Sequence, residues 1–424
     1  MMSSSLEFTA TCNRPFYPVM ASPQQAYVLF KACPAAPGGG ENAAPINYCL
    51  VLDRSGSMAG EKLRKMKEAA LLVVDRLRPV DLVSVVIFDD VEPAELVISA
   101  EAKQDRERLK QKIGMIEERG GTHMSTGMRL GLAELKRNQH TGYVSSMLLL
   151  TDGQTWEDEQ VCRELADQCR SAGIPIYAMG LGIGGENNWD PRLLEDLAQR
   201  SGGEWLVIET PAQAGDVFEK ILKAGWNMAM TNVRMTMRMV QGVAPRSVWR
   251  VTPLISRLDH HEVAEHDVQI FLGDVQSGIG QSVLAEIVLP PRPAGTYRMA
   301  QADITYNIAG SEQTDLKEAI DLVVTFTEDA AKTDQIDGEV MNIIERVVAH
   351  KLQTRALDEA DMGEIVHATQ RLRAAATRLL DLGEVELAQA AEQQAKQIEQ
   401  DGRVDLAAAQ KMRYATKRLV NPDI

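Results

Sequence analysis

The pattern of apolar and polar positions divides the chain into three regimes. Between 45 and 226, short apolar runs alternate with segments of helical period. The runs at 47–52, 81–88, 145–151, 174–181 and 204–208 read as strands, with an edge strand at 94–98. Helices are expected near 61–78, 106–117, 125–136, 159–172, 191–201 and 211–224. Met147-Leu148-Leu149-Leu150 is apolar at every position, so both faces of its sheet must be covered. Strand and helix in repeated alternation predict an α/β, doubly wound, mainly parallel sheet.

From 230 to 327 the period falls to two. Runs at 233–240, 247–253, 267–272, 282–289, 295–306 and 317–327 alternate and are bounded by Gly, Pro and Asp, as in an antiparallel sandwich or barrel. Two more strand-like runs, 6–12 and 25–33, precede the turn-rich Pro34-Ala35-Ala36-Pro37-Gly38-Gly39-Gly40. Alone, these runs would leave apolar faces uncovered, so they are expected to pair with the later strands. The chain then reads as multidomain. A β domain comprises 1–40 plus 228–330, an α/β domain at 45–226 is inserted in it, and a helical domain follows at 335–424. In the helical part Val340, Ile343, Ile344, Val347, Val348 and Leu352 share one face. Further helices near 359–380, 384–400 and 405–419 complete a hairpin pair or small bundle.

Candidate chemistry concentrates in the α/β region. Leu50-Val51-Leu52 leads into Asp53-Arg54-Ser55-Gly56-Ser57, a strand that turns straight into a helix. Gly120-Gly121-Thr122 follows a later helix, and Leu148-Leu149-Leu150-Thr151 runs into Asp152-Gly153. In a doubly wound sheet ligands sit beyond the carboxyl ends of the strands, which is where Asp53, Thr122 and Asp152 should meet. Carboxylate and hydroxyl oxygens suit a hard divalent ion. Taken singly, each segment also has a plain structural reading: Asp53 and Ser57 as helix caps, Asp152-Gly153 as a turn.

Together, Asp53-x-Ser55-x-Ser57, Thr122 and Asp152-Gly153 resemble the metal-ion-dependent adhesion site of von Willebrand factor A domains. The layout around it resembles prokaryotic (bacterial) multidomain proteins and the inter-alpha-trypsin inhibitor heavy chains, in which such a domain sits within a β-sandwich. The resemblance implies that Asp53, Ser55, Ser57, Thr122 and Asp152 hold Mg²⁺, with Mn²⁺ as the alternative, the aspartates directly or through water. It implies a non-enzymatic protein–protein interaction module whose partner gives an Asp or Glu to the ion. His123, beside Thr122, and Trp156 and Trp189, in loops on the same face, are candidate partner contacts. Each also reads as an ordinary rim residue. Two alternatives stand beside this reading. One is an adaptor for a MoxR-type AAA+ ATPase; the other is a Mg²⁺-dependent hydrolase with His123 as its base.

Charge and cysteines narrow the setting. A formal net charge of −15 argues against electrostatic binding to nucleic acid or an anionic membrane. The five cysteines are odd in number and none has zinc spacing, while Cys49, Cys162 and Cys169 fall in core positions. Residues 1–15 show neither a basic nor an apolar signal region, so a reducing cytoplasm is expected. The glycines at 180, 182, 184 and 185 mimic a dinucleotide fingerprint, but the next helix starts too late to close on a phosphate. His260, His261 and His266 read as part of a solvated connector. Lys411, Arg413, Lys417 and Arg418 read as a basic helix end that needs no partner.

Overall fold

The structure is a computed structural model and describes residues 5–35, 43–100, 106–152, 155, 157–181, 192–208, 210–401 and 406–420. Strands β1 (Leu6–Cys12), β2 (Phe16–Pro18) and β3 (Gln24–Pro34) come first. The α/β region runs β4 (Ile46–Asp53), α1 (Glu61–Arg76), β5 (Leu82–Phe88), β6 (Glu95–Ile98), α2 (Arg106–Gly114), α3 (Met124–Arg137), β7 (Val144–Thr151), α4 (Glu159–Ser171), β8 (Ile176–Leu181), α5 (Arg192–Ser201), β9 (Trp205–Ile208) and α6 (Ala214–Trp226). Then follow β10 (Met228–Met239), β11 (Ala244–Thr252), β12 (Ser256–Leu258), β13 (His260–Ala264), β14 (Asp267–Gln276), β15 (Gln281–Leu289), β16 (Gly295–Ile308) and β17 (Leu316–Thr327). The helical elements after them are α7 (Ala330–Thr333), α8 (Gly338–Asp361), α9 (Ile365–Asp381), α10 (Val385–Asp401) and α11 (Leu406–Lys417).

The α/β sheet has the order β6-β5-β4-β7-β8-β9, parallel except for the edge strand β6. Leu50 and Leu52 of β4 pack with Val73 of α1 and Phe218 of α6, while Cys49 and Val51 pack with Met128 and Leu132 of α3 on the other face. Two covered faces explain the unbroken apolar runs. The chain leaves β4 toward β5 and β6, then crosses back to β7, so the crevice between the ends of β4 and β7 is a topological switch point.

The other strands form two facing sheets, β1-β3-β15-β11-β12 and β13-β14-β10-β16-β17-β2. The α/β domain is therefore inserted: β3 pairs with β15 in the first sheet, and β2 runs parallel to β17 in the second. Val28 and Phe30 from before the insertion share a core with Met235, Val283 and Ile304 from after it.

Asp81, whose carboxylate is fully buried, ties the two crossings together. It accepts from the Ile46 amide at 3.1 Å, where β4 begins, and from Trp226 Nε1 at 3.2 Å, where α6 ends. Arg78 donates to Asp81 and to the carbonyls of Ala43 and Ala44. Both crossings thus lie at the amino end of the parallel sheet, opposite the switch-point crevice.

Three expectations need correction. The segment read as a solvated connector, 258–265, contains β13, which pairs with β14. It is an edge strand whose residues from His261 to Ala264 are exposed, and such a strand has the composition of a loop. The first long helix runs past 359, where the next helix was expected to start. It runs to Asp361 and breaks at Gly363, whose φ of +81° ends the helix in the left-handed conformation. The basic end of α11 also has a partner: Lys417 and Arg413 both pair with Glu195 of α5. Val340, Ile344 and Val347 of α8 meanwhile pack on Leu29, Val251 and Leu284 of the first sandwich sheet.

Two predictions follow from this packing. Phe30 is 3% exposed in a core built mostly from residues beyond 228. Phe30→Ala should therefore cost about 3–5 kcal/mol, read as a lower urea midpoint of the sandwich. His350 is buried, with Nδ1 at 2.9 Å from Thr416 Oγ1. Burial, with the charge of Lys417, lowers its pKa to about 3. Below pH 6.5 the unfolded chain takes up a proton that the folded chain refuses, so stability should fall progressively from pH 6.5 toward 3. His350→Gln should flatten that part of a melting-temperature profile.

Candidate metal centre

β4 and β7 are neighbours with Leu52 beside Leu150, which puts Asp53 next to Thr151 at the switch point. Asp53 is fully buried. Its Oδ1 accepts from the Ser55 amide at 2.8 Å and its Oδ2 from Thr151 Oγ1 at 2.5 Å. Burial lifts its pKa to about 6 against the pull of these hydrogen bonds, and the nearby Asp152 charge adds to the lift. After Asp53 the chain makes a short 3₁₀ turn, Gly56–Met58, before α1. The N-cap of α1 is Gly60, with no side-chain cap. Asp53 and Ser57 are therefore not spent capping that helix.

The hydroxyls of this turn point at one another and at Asp152. Ser55 Oγ lies 3.0 Å from Ser57 Oγ, and Ser57 Oγ donates to Asp152 Oδ1 at 2.7 Å. Asp152 Oδ2 accepts from Lys62 Nζ, which also reaches the Ser57 carbonyl at 3.3 Å.

Thr122 comes from a loop bonded to the same turn. The Gly56 amide donates to the Gly120 carbonyl at 2.9 Å, and the Arg119 amide to the Arg54 carbonyl at 2.8 Å. Gly120 has φ +64°, and a Cβ there would lie 1.9 Å from Asp90 Oδ1, so this turn needs glycine. Thr122 is buried, and its carbonyl accepts from Thr155 Oγ1 at 3.4 Å. Asp158 steadies the next turn, accepting from the Ser125 amide at 2.7 Å and from Thr155 Oγ1.

A buried ion-pair cluster joins the two loops. Asp89 Oδ2 accepts from Arg54 Nε at 2.7 Å and from Arg119 Nε at 3.0 Å, and the Asp89 carbonyl takes the His123 amide at 2.9 Å. Arg54 also pairs with Glu95 at 3.2 Å. His123 is partly exposed at the N-terminus of α3, next to Thr122. Trp156 and Trp189, and Gly153 after Asp152, lie outside the described residues, as do the glycines 182–185.

Among the described residues no cluster of three or more His, Cys, Asp or Glu has the makings of a metal site. The donors here are of another kind: two buried carboxylates and hydroxyl oxygens at hydrogen-bond distance. That set fits a small hard cation and offers nothing to a soft one. Burial is the main reason that the Asp53 carboxyl is pushed up to about 6, and the Asp152 charge adds a smaller push in the same direction.

Sequence reasoning missed Lys62, Asp89, Thr151 and Asp158. Asp89 left the best available signal: it follows β5, the strand beside β4, at the same carboxyl end. Asp89→Asn leaves the buried Arg54 with the exposed Glu95 as its remaining charge partner and should cost about 2–3 kcal/mol in urea unfolding. Arg119→Ala removes a half-exposed partner and should cost under about 1 kcal/mol.

Comparisons with known proteins speak to the domains and the fold. The family model of the von Willebrand factor type A domain matches residues 48–220, and that of the Sll0103-like C-terminal alpha-helical domain matches residues 338–422. The uncharacterised protein sll0103 of Synechocystis sp. is 28% identical over 280 residues, covering 64% of each chain. Human inter-alpha-trypsin inhibitor heavy chain H3 is 26% identical over 200 residues, 45% of this chain and 22% of that one. The chain thus spans less than two thirds of either relative. Among solved structures, a von Willebrand factor type A protein from Catenulispora acidiphila superposes with TM-score 0.77 at 18% identity, over 99% of this chain and 98% of that one. The ArnB paralog VWA2 from Sulfolobus acidocaldarius gives 0.58 at 15% identity over 98% and 99%. At such identities the likeness speaks for the fold alone. Residues 48–220 of this chain are thus a von Willebrand factor type A domain, and residues 338–422 an Sll0103-like C-terminal alpha-helical domain.

Proposed function

We propose that the chain is a metal-dependent protein-binding module, with its site at the carboxyl ends of β4 and β7. Domains of this family commonly mediate metal-dependent protein interactions. The observation that carries the reading here is the linked set Ser55–Ser57–Asp152 beside the buried Asp53. Ser55, Ser57 and Thr122 would hold Mg²⁺, or Mn²⁺, through their hydroxyls, and Asp53 and Asp152 would supply the balancing charge. When bound, the ion supplies an electrophilic position that an Asp or Glu of a protein partner completes. The residues of the chain do the rest. Asp53 and Asp152 anchor the serine turn, the Asp89 cluster fixes the Thr122 loop against it, and His123 stands at the rim where the partner would arrive. Trp156 and Trp189 are proposed as further contacts at that rim. We place the protein in the cytoplasm, a setting that the free, buried thiols of Cys49, Cys162 and Cys169 favour. We read it as non-enzymatic, the serine hydroxyls being engaged with each other and with Asp152, itself one of the residues that would hold the ion.

Calorimetric titration with MgCl₂ should give weak binding whose heat disappears in Asp53→Ala; an unchanged isotherm would place the site elsewhere. Proton and cation compete for Asp53, so affinity should decline as pH falls through about 6. With a partner captured from lysate, exchanging its contacting carboxylate for the amide should cost about 1.5–3 kcal/mol in Mg²⁺. The same exchange should cost nothing in EDTA, and an interaction equally strong in EDTA would exclude the metal from it.

A further inference from the structure

Lys62 occupies an unexpected place for a cation. It lies in the first turn of α1, at the end where the helix dipole is positive and a basic side chain is disfavoured. The next basic residues of the helix stay off the site: Arg64 and Lys65 pair with the exposed Glu68 of the same helix. Lys62 instead turns into the site, its side chain 26% exposed, and its ammonium rests on the Asp152 carboxylate, which is 0% exposed. The two buried carboxylates are met differently. Asp53 is met by neutral donors, among them the Ser55 amide and the Thr151 hydroxyl, whereas Asp152 receives the Ser57 hydroxyl on Oδ1 and a full positive charge on Oδ2.

We infer that Lys62 is a tethered competitor of the divalent ion, an ammonium that fills part of the positive charge the aspartate pair demands. This rests on the metal-centre reading of the site. Asp152 cannot give its charge fully to an ammonium and to an incoming cation at once. Entry of the ion therefore requires Lys62 to loosen its hold on Oδ2, and the attraction it gives up is subtracted from the binding energy of the ion. The competitor is always present, because α1 begins only a few residues beyond Ser57 and holds the side chain within reach. Without the ion, Lys62 balances the charge of the buried Asp152 and ties it to the Ser57 turn through the Ser57 carbonyl. The device thus sets a low affinity and preserves the site between occupations.

The test uses the full chain with Lys62→Met, which keeps the apolar stem without the charge, and Lys62→Arg, which keeps the charge. Mg²⁺ and Mn²⁺ affinities are read by calorimetry, and melting temperatures in EDTA and in saturating Mg²⁺. Lys62→Met should bind the ion at least about tenfold tighter, the scale of one unit charge removed from beside a largely buried carboxylate. Its melting temperature should drop in EDTA and recover to the wild-type value or above in saturating Mg²⁺. Lys62→Arg should stay within about threefold of wild type in affinity, since the charge is kept. Unchanged or weaker ion binding in Lys62→Met, with wild-type binding intact and lost in Asp53→Ala, would overturn the competitor while leaving the metal centre standing. No heat from any variant, Lys62→Met included, would overturn both.

Discussion

A carboxylate buried at the end of a central strand is the constraint around which this domain is arranged. Asp53 is inaccessible to water, and an ion placed there without compensation would cost far more than the domain's stability. Compensation comes from two directions. The strand's own turn returns the Ser55 amide, and the neighbouring strand gives the Thr151 hydroxyl. The two donors sit on different segments, so the carboxylate is satisfied only when β4 and β7 are in register. Folding and site assembly are one event here.

The same logic explains the second ring of contacts. Arg54, between Asp53 and Ser55, points away from the serines and pairs with Asp89, which also holds Arg119 of the Thr122 loop. Alternate residues of one short turn thus serve two ends: Asp53, Ser55 and Ser57 face the site, and Arg54 locks that turn to its neighbour. The loop hydrogen bond from Gly56 to Gly120 completes the lock through the backbone, independent of side-chain charge.

Much of this could be read from the residues, and the failures have two causes. The apolar run 147–150 revealed the doubly covered sheet, and the uncovered faces of 6–12 and 25–33 pointed to the insertion, because both are properties of local pattern. Lys62 and Asp152 are 90 residues apart, and nothing in the helical pattern of 61–78 distinguishes a lysine that turns inward from one that turns out. Arg413 and Lys417 looked like a helix terminus for the same reason: their partner Glu195 is more than two hundred residues earlier. β13 escaped because an exposed edge strand and a polar loop use the same residues. The other misses, at Lys62, Arg413 and Lys417, are pairings at long range, which local period does not encode.

The position of Asp81 has a mechanical consequence. It staples the entry to β4 and the exit from α6 at one end of the sheet, and Asp53 ends that same β4 at the other. A tug on anything held beyond Asp53 would run down the middle strand of the sheet, which is flanked on both sides by parallel neighbours. Those hydrogen bonds would be loaded together in shear rather than unzipped singly. The strain would then arrive at a joint where both chain connections share one buried carboxylate, so the inserted domain would hang from the sandwich by a double strap and not by a single thread.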